Sequence, residues 1–134
     1  MEESTLYVVA VAAVIIKEGK VLAMRRALTK DAGPGLWETL SGRVQLGEEP
    51  FDAVKREIAE ECSLEVRLEA NPYTVYQASR LDKPMMVIIY RAEYLSGEVQ
   101  MSEEHDAYAW LSAAEFAKRS SLQKLVDVVA EILS

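Results

Sequence analysis

Residues 42–64 read GRVQLGEEPFDAVKREIAEECSL, a loop running into the clearest helix of the chain. Pro50 stands where a helix tolerates a missing N–H. From there Phe51, Val54, Ile58 and Cys62 recur at spacings of three, four and four, which predicts an amphipathic helix over about Pro50–Cys62. Glu57, Glu60 and Glu61 then fall within an arc of roughly 100° beside the apolar stripe. Glu57 and Glu61 are i,i+4 neighbours of like charge, unfavourable by roughly 0.2–0.5 kcal/mol in an isolated helix. They also lie in its second half, where the macrodipole disfavours anions. One reading is a solvated acidic face. The other is a site for a hard divalent cation, which takes carboxylate oxygens together with substrate phosphates.

Outward from that helix, the chain reads as strands. Leu6–Ile16 is an apolar run of eleven residues rich in Val and Ile, too short for a membrane helix and suited to a buried strand. Val8–Ile16 and Val21–Arg26 flank Glu18-Gly19-Lys20, a predicted hairpin. Gly33, Pro34 and Gly35 make residues 29–36 a loop, and Trp37–Val44 is a short extended segment broken by Gly42. After the helix, Leu64–Leu68, Tyr73–Ser79, Met85–Leu95 and Ala107–Leu111 read as strands, with Asp82-Lys83-Pro84 and Ser96-Gly97 as punctuation. Ser112 with Glu115 forms a capping-box pattern opening a short helix. Leu122, Leu125, Val126, Val129, Ile132 and Leu133 make a last amphipathic helix. The expectation is one α+β domain over residues 1–134, a mixed β-sheet sandwiched between helices.

Composition narrows the function. The 134 residues carry 22 acidic against 15 basic side chains, a formal charge of −7. That field repels nucleic acid and anionic membrane surfaces. One cysteine excludes an internal disulfide, and the Glu2-Glu3 flank is unlike a secretory signal, so the expected compartment is cytoplasmic. Self-association as a homodimer stays open.

Gly42, Glu48, Arg56, Glu57, Ile58, Glu60, Glu61 and Leu64 fit G-x5-E-x7-R-E-U-x-E-E-x-G-U, where U is aliphatic, and this resembles the signature of the Nudix hydrolase family. Six of the seven fixed positions match. A chain of this composition would produce those six by chance on the order of once in 10⁴. The final glycine is Ser63, Leu40-Ser41 replaces a Pro-Gly pair, and Gln45 stands where a glutamate is frequent.

The resemblance implies a Nudix-like fold and metal-dependent cleavage of the diphosphate linkage in a nucleotide-type small molecule, a nucleoside triphosphate or a dinucleoside polyphosphate, with release of a nucleoside monophosphate. It implies Mg²⁺ or Mn²⁺ held by the Gly42 carbonyl and by Glu57, Glu60 and Glu61. Arg56 would pair with Glu48, itself expected among the substrate-binding residues, and hold loop against helix. Glu57 or Glu104 is the candidate general base, and Glu104, within Glu103-Glu104-His105-Asp106, is also a candidate ligand. Of Arg25 and Arg26, strand alternation turns one inward to meet phosphate. His105 reads as a surface residue, Tyr108, Trp110 and Cys62 as core. Trp37, Tyr73 and Tyr76 could stack on a base. Glu104-His105 with Tyr108, Trp110 and Leu111 looks like the diadenosine tetraphosphate hydrolase branch, whereas Arg25-Arg26 looks like the nucleotide-sanitising branch. The competing readings are a catalytically silent Nudix-fold module that binds a nucleotide or protein, and an acidic scaffold.

Overall fold

Strand β1 (Val8–Lys17) is apolar on both faces because both faces are covered. In the computed structural model, which describes residues 6–30 and 32–134, its odd-numbered residues Val11, Ala13 and Ile15 pack under α1 (Pro50–Glu61). Its even-numbered Ala12 and Val14 pack with Phe116 of α2 (Ala113–Arg119) and with Leu125, Val126, Val129 and Ile132 of α3 (Gln123–Leu133). The sheet is therefore the middle layer of a helix–sheet–helix sandwich, the predicted α+β class.

β1 runs parallel to β7 (Lys83–Ser96), from Val8 opposite Met85 to Ile16 opposite Glu93. All other pairings are antiparallel, so the sheet is mixed. The far edge of β7 carries β6 (Thr74–Arg80) and β5 (Glu65–Leu68). On its other edge β1 meets β2 (Lys20–Arg26) only at Ile16–Val21 and Lys17–Lys20, around Glu18 and Gly19, both at positive φ as a type I′ hairpin turn requires. Beyond that hairpin the two strands diverge. β3 (Trp37–Glu38) follows β2, β4 (Leu40–Arg43) follows β1, and the chain crosses between them at Thr39. The break in this segment thus falls at Thr39, and Gly42 lies inside β4 opposite Val11. β8 (His105–Leu111) closes the other edge of β2.

Three local readings are corrected. The turn between β6 and β7 is Leu81-Asp82, both at positive φ, and Lys83 and Pro84 already belong to β7. β8 begins at His105, two residues early, because it pairs with Arg26 across a register shift. Tyr108 is exposed and His105 is enclosed, the reverse of expectation. The capping box is present in full: Ser112 Oγ accepts from the Glu115 N–H, and Glu115 Oε1 accepts from the Ser112 N–H. Among the described residues no helix is long and apolar enough to cross a membrane.

α1 ends at Cys62, whose thiol is buried and donates to the Ile58 carbonyl, and Ser63 follows at φ 59°. That left-handed conformation costs a residue with a Cβ roughly 1–2 kcal/mol, and glycine almost nothing. Ser63→Gly is expected to raise the melting temperature by about 2–4 °C, after the glycine's extra unfolded-state entropy is subtracted, with turnover unchanged. Calorimetry beside a steady-state assay checks both.

Candidate functional site

Divergence of β1 from β2 opens a cleft of about 1100 Å³. Small side chains, Ala10 and Ala12 of β1 and Gly42 of β4, leave the space. Glu57, Glu60 and Glu61 enter from α1, Arg26 from β2, Glu38, Thr39 and Ser41 from the crossing segment, and Glu103 and Glu104 from the loop before β8. Tyr76, Gln77 and Arg80 of β6 and Lys124 of α3 also line it.

The three glutamates of α1 are not equivalent. Glu57 and Glu61 lie on the buried face with Ala53, Val54 and Ile58, whereas Glu60 is exposed. Glu61 is 4% exposed, and its Oε2 has no hydrogen-bond partner. Burial first, then the charges of Glu57, Glu38 and Glu104, push its carboxyl up to about 9. Burial also raises Glu57, opposed by its hydrogen bond from Arg56. A Cβ on Gly42 would stand 2.1 Å from the Glu57 carboxyl carbon. The glycine is there because that carboxyl group fills the space of a side chain.

Arg56 is the clamp of this corner. Its Nε and Nη2 donate to the two oxygens of Glu48 at 2.8 and 3.0 Å, a bidentate pair. Nη1 donates to Glu57 at 2.7 Å and Glu60 at 3.3 Å, and Nη2 also donates to the Arg43 carbonyl at 3.0 Å. Glu48 in turn accepts the Gln45 N–H, and the Arg56 contact holds its carboxyl down at about 2. Glu48 does not line the cleft: both its oxygens are spent on the clamp, which corrects its assignment to substrate.

Of the two arginines, Arg26 shares the parity of Leu22 and Met24 and enters the cleft. Arg25 pairs with Asp106 at 2.7 Å, partly exposed and outside the lining. Arg26 is fixed by its Nε on the Ala32 carbonyl (2.7 Å) and its Nη1 on Glu38 Oε2 (3.3 Å), while Nη2 is enclosed without a partner. Glu104 lines the cleft and forms an ion pair with Lys30, which lowers its carboxyl. Of the three aromatic candidates Tyr76 alone lines the cleft, with the Lys124 ammonium 5.9 Å from its ring centre; Trp37 carries Arg119 against its ring and Tyr73 bonds Glu131.

Sequence reasoning missed Glu38, Thr39 and the inward His105. Glu38, 6% exposed, accepts from Arg26, from Ser41 Oγ at 3.1 Å and, at 2.8 Å, from His105 Nε2. An acid set in an apolar extended segment directly after Trp37 was the available signal.

Among the described residues no three His, Cys, Asp or Glu side chains stand ready as a complete metal cage. The donors present still fit a hard cation that completes its shell with water and phosphate: enclosed carboxylates at Glu57 and Glu61, one oxygen of the latter unsatisfied, beside a backbone that approaches without a side chain.

A family model described as the NUDIX domain matches residues 6–131. A Streptomyces ambofaciens relative described as MutT-like is 33% identical over 116 residues, covering 85% of this chain and 70% of that one. A Mycobacterium tuberculosis relative provisionally named 8-oxo-dGTP diphosphatase 2 is 34% identical over 107 residues, 80% of this chain and 74% of its own. The crystal structure of a MutT protein from Methanosarcina mazei superposes with TM-score 0.84 at 23% identity, covering 98% of this chain and 96% of that one.

A carboxyl raised by folding keeps a proton that the unfolded chain releases, so its contribution to stability is lost as pH climbs from about 4.5 toward about 9. In metal-free buffer Glu61→Gln is therefore expected to melt higher than the wild type, by a margin that widens between pH 5 and pH 9. Thermal denaturation across that range, with chelator present, checks it.

Proposed function

Because the chain belongs to the Nudix family and is a pyrophosphohydrolase, we propose that it cleaves the diphosphate linkage of nucleoside triphosphates or related nucleoside diphosphate derivatives with Mg²⁺ or Mn²⁺, releasing a nucleoside monophosphate. The observation that carries this reading is the enclosed Glu61 carboxyl group with one oxygen unpartnered, beside Glu57 in the space kept open by Gly42. Two buried, adjacent carboxylates are costly unless a cation joins them. Glu57 and Glu61 would hold the ion, with the Gly42 carbonyl and Glu60 at its margin. Bound there, it would neutralise charge on the phosphates and lower the pKa of the attacking water.

The protein's own groups have separable tasks. Arg26 brings an unpaired donor to phosphate oxygens. Arg56 fixes the Glu57 carboxylate and the loop in front of it. Glu104, kept ionised by Lys30, lines the same cleft near enough for its charge to act on Glu57 and Glu61, and is a candidate base or further ligand. Tyr76 lines the cleft beside Lys124 and is the candidate for stacking on a nucleobase. The name of the Mycobacterium tuberculosis relative supports trying nucleoside triphosphates, oxidised purines included, first on the panel, and dinucleoside polyphosphates follow.

Assay of that panel with and without Mg²⁺ is expected to show metal-dependent release of a monophosphate, reduced at least about 10²-fold in Glu61→Gln. An unchanged rate in that variant removes Glu61 from the reaction, and binding without turnover on every compound supports a silent module instead. Gly42→Ala tests the neighbouring group. Its methyl must push the Glu57 carboxylate, the far end of a long side chain, away from Arg56, so turnover should fall by on the order of 10²-fold, a larger effect than that on the melting temperature.

A further inference from the structure

Among the described residues, five carry an enclosed side-chain polar atom without a partner: Arg26, Thr39, Glu61, Arg80 and His105. The first four line the cleft, and His105 touches it only through Glu38. Unsatisfied buried groups of this kind call for an explanation one by one. A histidine retained for packing would gain from having both ring nitrogens satisfied, or from replacement by an apolar residue of similar volume. His105 has neither: its side chain is wholly enclosed, Nε2 lies 2.8 Å from Glu38 Oε2, and Nδ1 bonds nothing.

We infer that His105 is a positioning residue for substrate binding, acting through Glu38 on Arg26. The inference rests on the reading of the cleft given above. Glu38 Oε2 is shared. The contact from His105 is the short one, and Arg26 Nη1 reaches the same oxygen only at 3.3 Å. The other oxygen, Oε1, is taken by Ser41 Oγ. Held from both sides, Glu38 does not close on the guanidinium as a bidentate partner, and Arg26 Nη2 stays uncommitted. The strands fix the arrangement: Arg26 of β2 pairs with His105 of β8, and Glu38 of β3 pairs with Met24 on the other edge of β2. Without the imidazole, Glu38 swings fully onto Arg26 and takes the donor meant for substrate oxygens.

The test is binding of an α,β-methylene nucleoside triphosphate with Mg²⁺, measured by calorimetry beside turnover of the best hydrolysed nucleotide. His105→Phe is expected to raise Kd and KM about tenfold and to change kcat less, the size set by one charged hydrogen bond. In an Arg26→Ala background the same substitution should move Kd less than about twofold, because the relay has lost its end. His105→Gln, whose amide N–H reaches a carboxylate, should recover most of the affinity. An equal fold-change in both backgrounds, or a lowered melting temperature with Kd unmoved, overturns the assignment. If His105→Phe does not fold, Glu38→Gln replaces it: coupling to Arg26 supports the relay, and an unchanged Kd overturns it. Wild-type protein that binds the analogue and hydrolyses nothing defeats the catalytic reading alone, since the relay is still read from Kd.

Discussion

Two carboxyl groups on the buried face of a twelve-residue helix are the constraint around which this molecule is built. Glu57 and Glu61 occupy positions that packing would give to leucine, between Val54, Ile58 and the sheet. Such groups repel each other and are deprived of water, and the rise in the carboxyl pKa at Glu61 expresses both costs. Everything nearby moderates that cost without cancelling it. Arg56 neutralises Glu57, Gly42 makes room for that same carboxyl group, and one oxygen of Glu61 is left with nothing. A helix selected for stability alone would not carry this set, and a helix that receives a cation and a polyphosphate needs it.

The sheet makes the arrangement reachable. If β1 and β2 ran together along their whole length, Arg26 and Glu57 would face a closed core. They part after a two-residue turn, and Thr39 carries the chain from one strand to the other. One short segment can thus present Glu38 to β2 and Gly42 to α1. The cleft is the gap left by that crossing, and the small residues Ala10 and Ala12 keep it unfilled.

Much of this was legible in the sequence, for identifiable reasons. The α1 stripe, the capping box at Ser112 and the uninterrupted apolar β1 are local patterns whose physics is contained in a few consecutive residues. The spacing from Gly42 to Leu64 located the acidic corner, because one helix and its loop bring those residues together. What escaped depends on pairing between distant segments. His105 alone reads as a surface residue, yet β8 begins there and sets it against Arg26. Tyr108 reads as core, yet it stands exposed on an edge strand. Alternation required one of Arg25 and Arg26 to face inward, but only the register with Leu22 and Met24 says which. Burial of Glu57 and Glu61, and not of Glu60, depends on how α1 rolls against β4, to which 100° per residue is blind.

Arg56 shows why this corner tolerates so much unfavourable charge. Its guanidinium meets three carboxylates and a backbone carbonyl in one plane of donors, a geometry that the point charge of lysine cannot reproduce. The bidentate bond to Glu48 orients that plane, and Glu48 is itself fixed by the Gln45 N–H. Loop, helix and carboxylates therefore move as one unit, and the position of Glu57 is set before any ligand arrives. The unpaired oxygen of Glu61 lies outside the reach of that clamp. Preorganisation on one side and an unmet demand on the other are what a binding site requires: a rigid frame loses little entropy on association, and an orphaned carboxyl group gains most from it. Ser63, strained at the end of the same helix, belongs to neither side of that arrangement, and a small loss of helix stability there leaves the geometry of the corner intact.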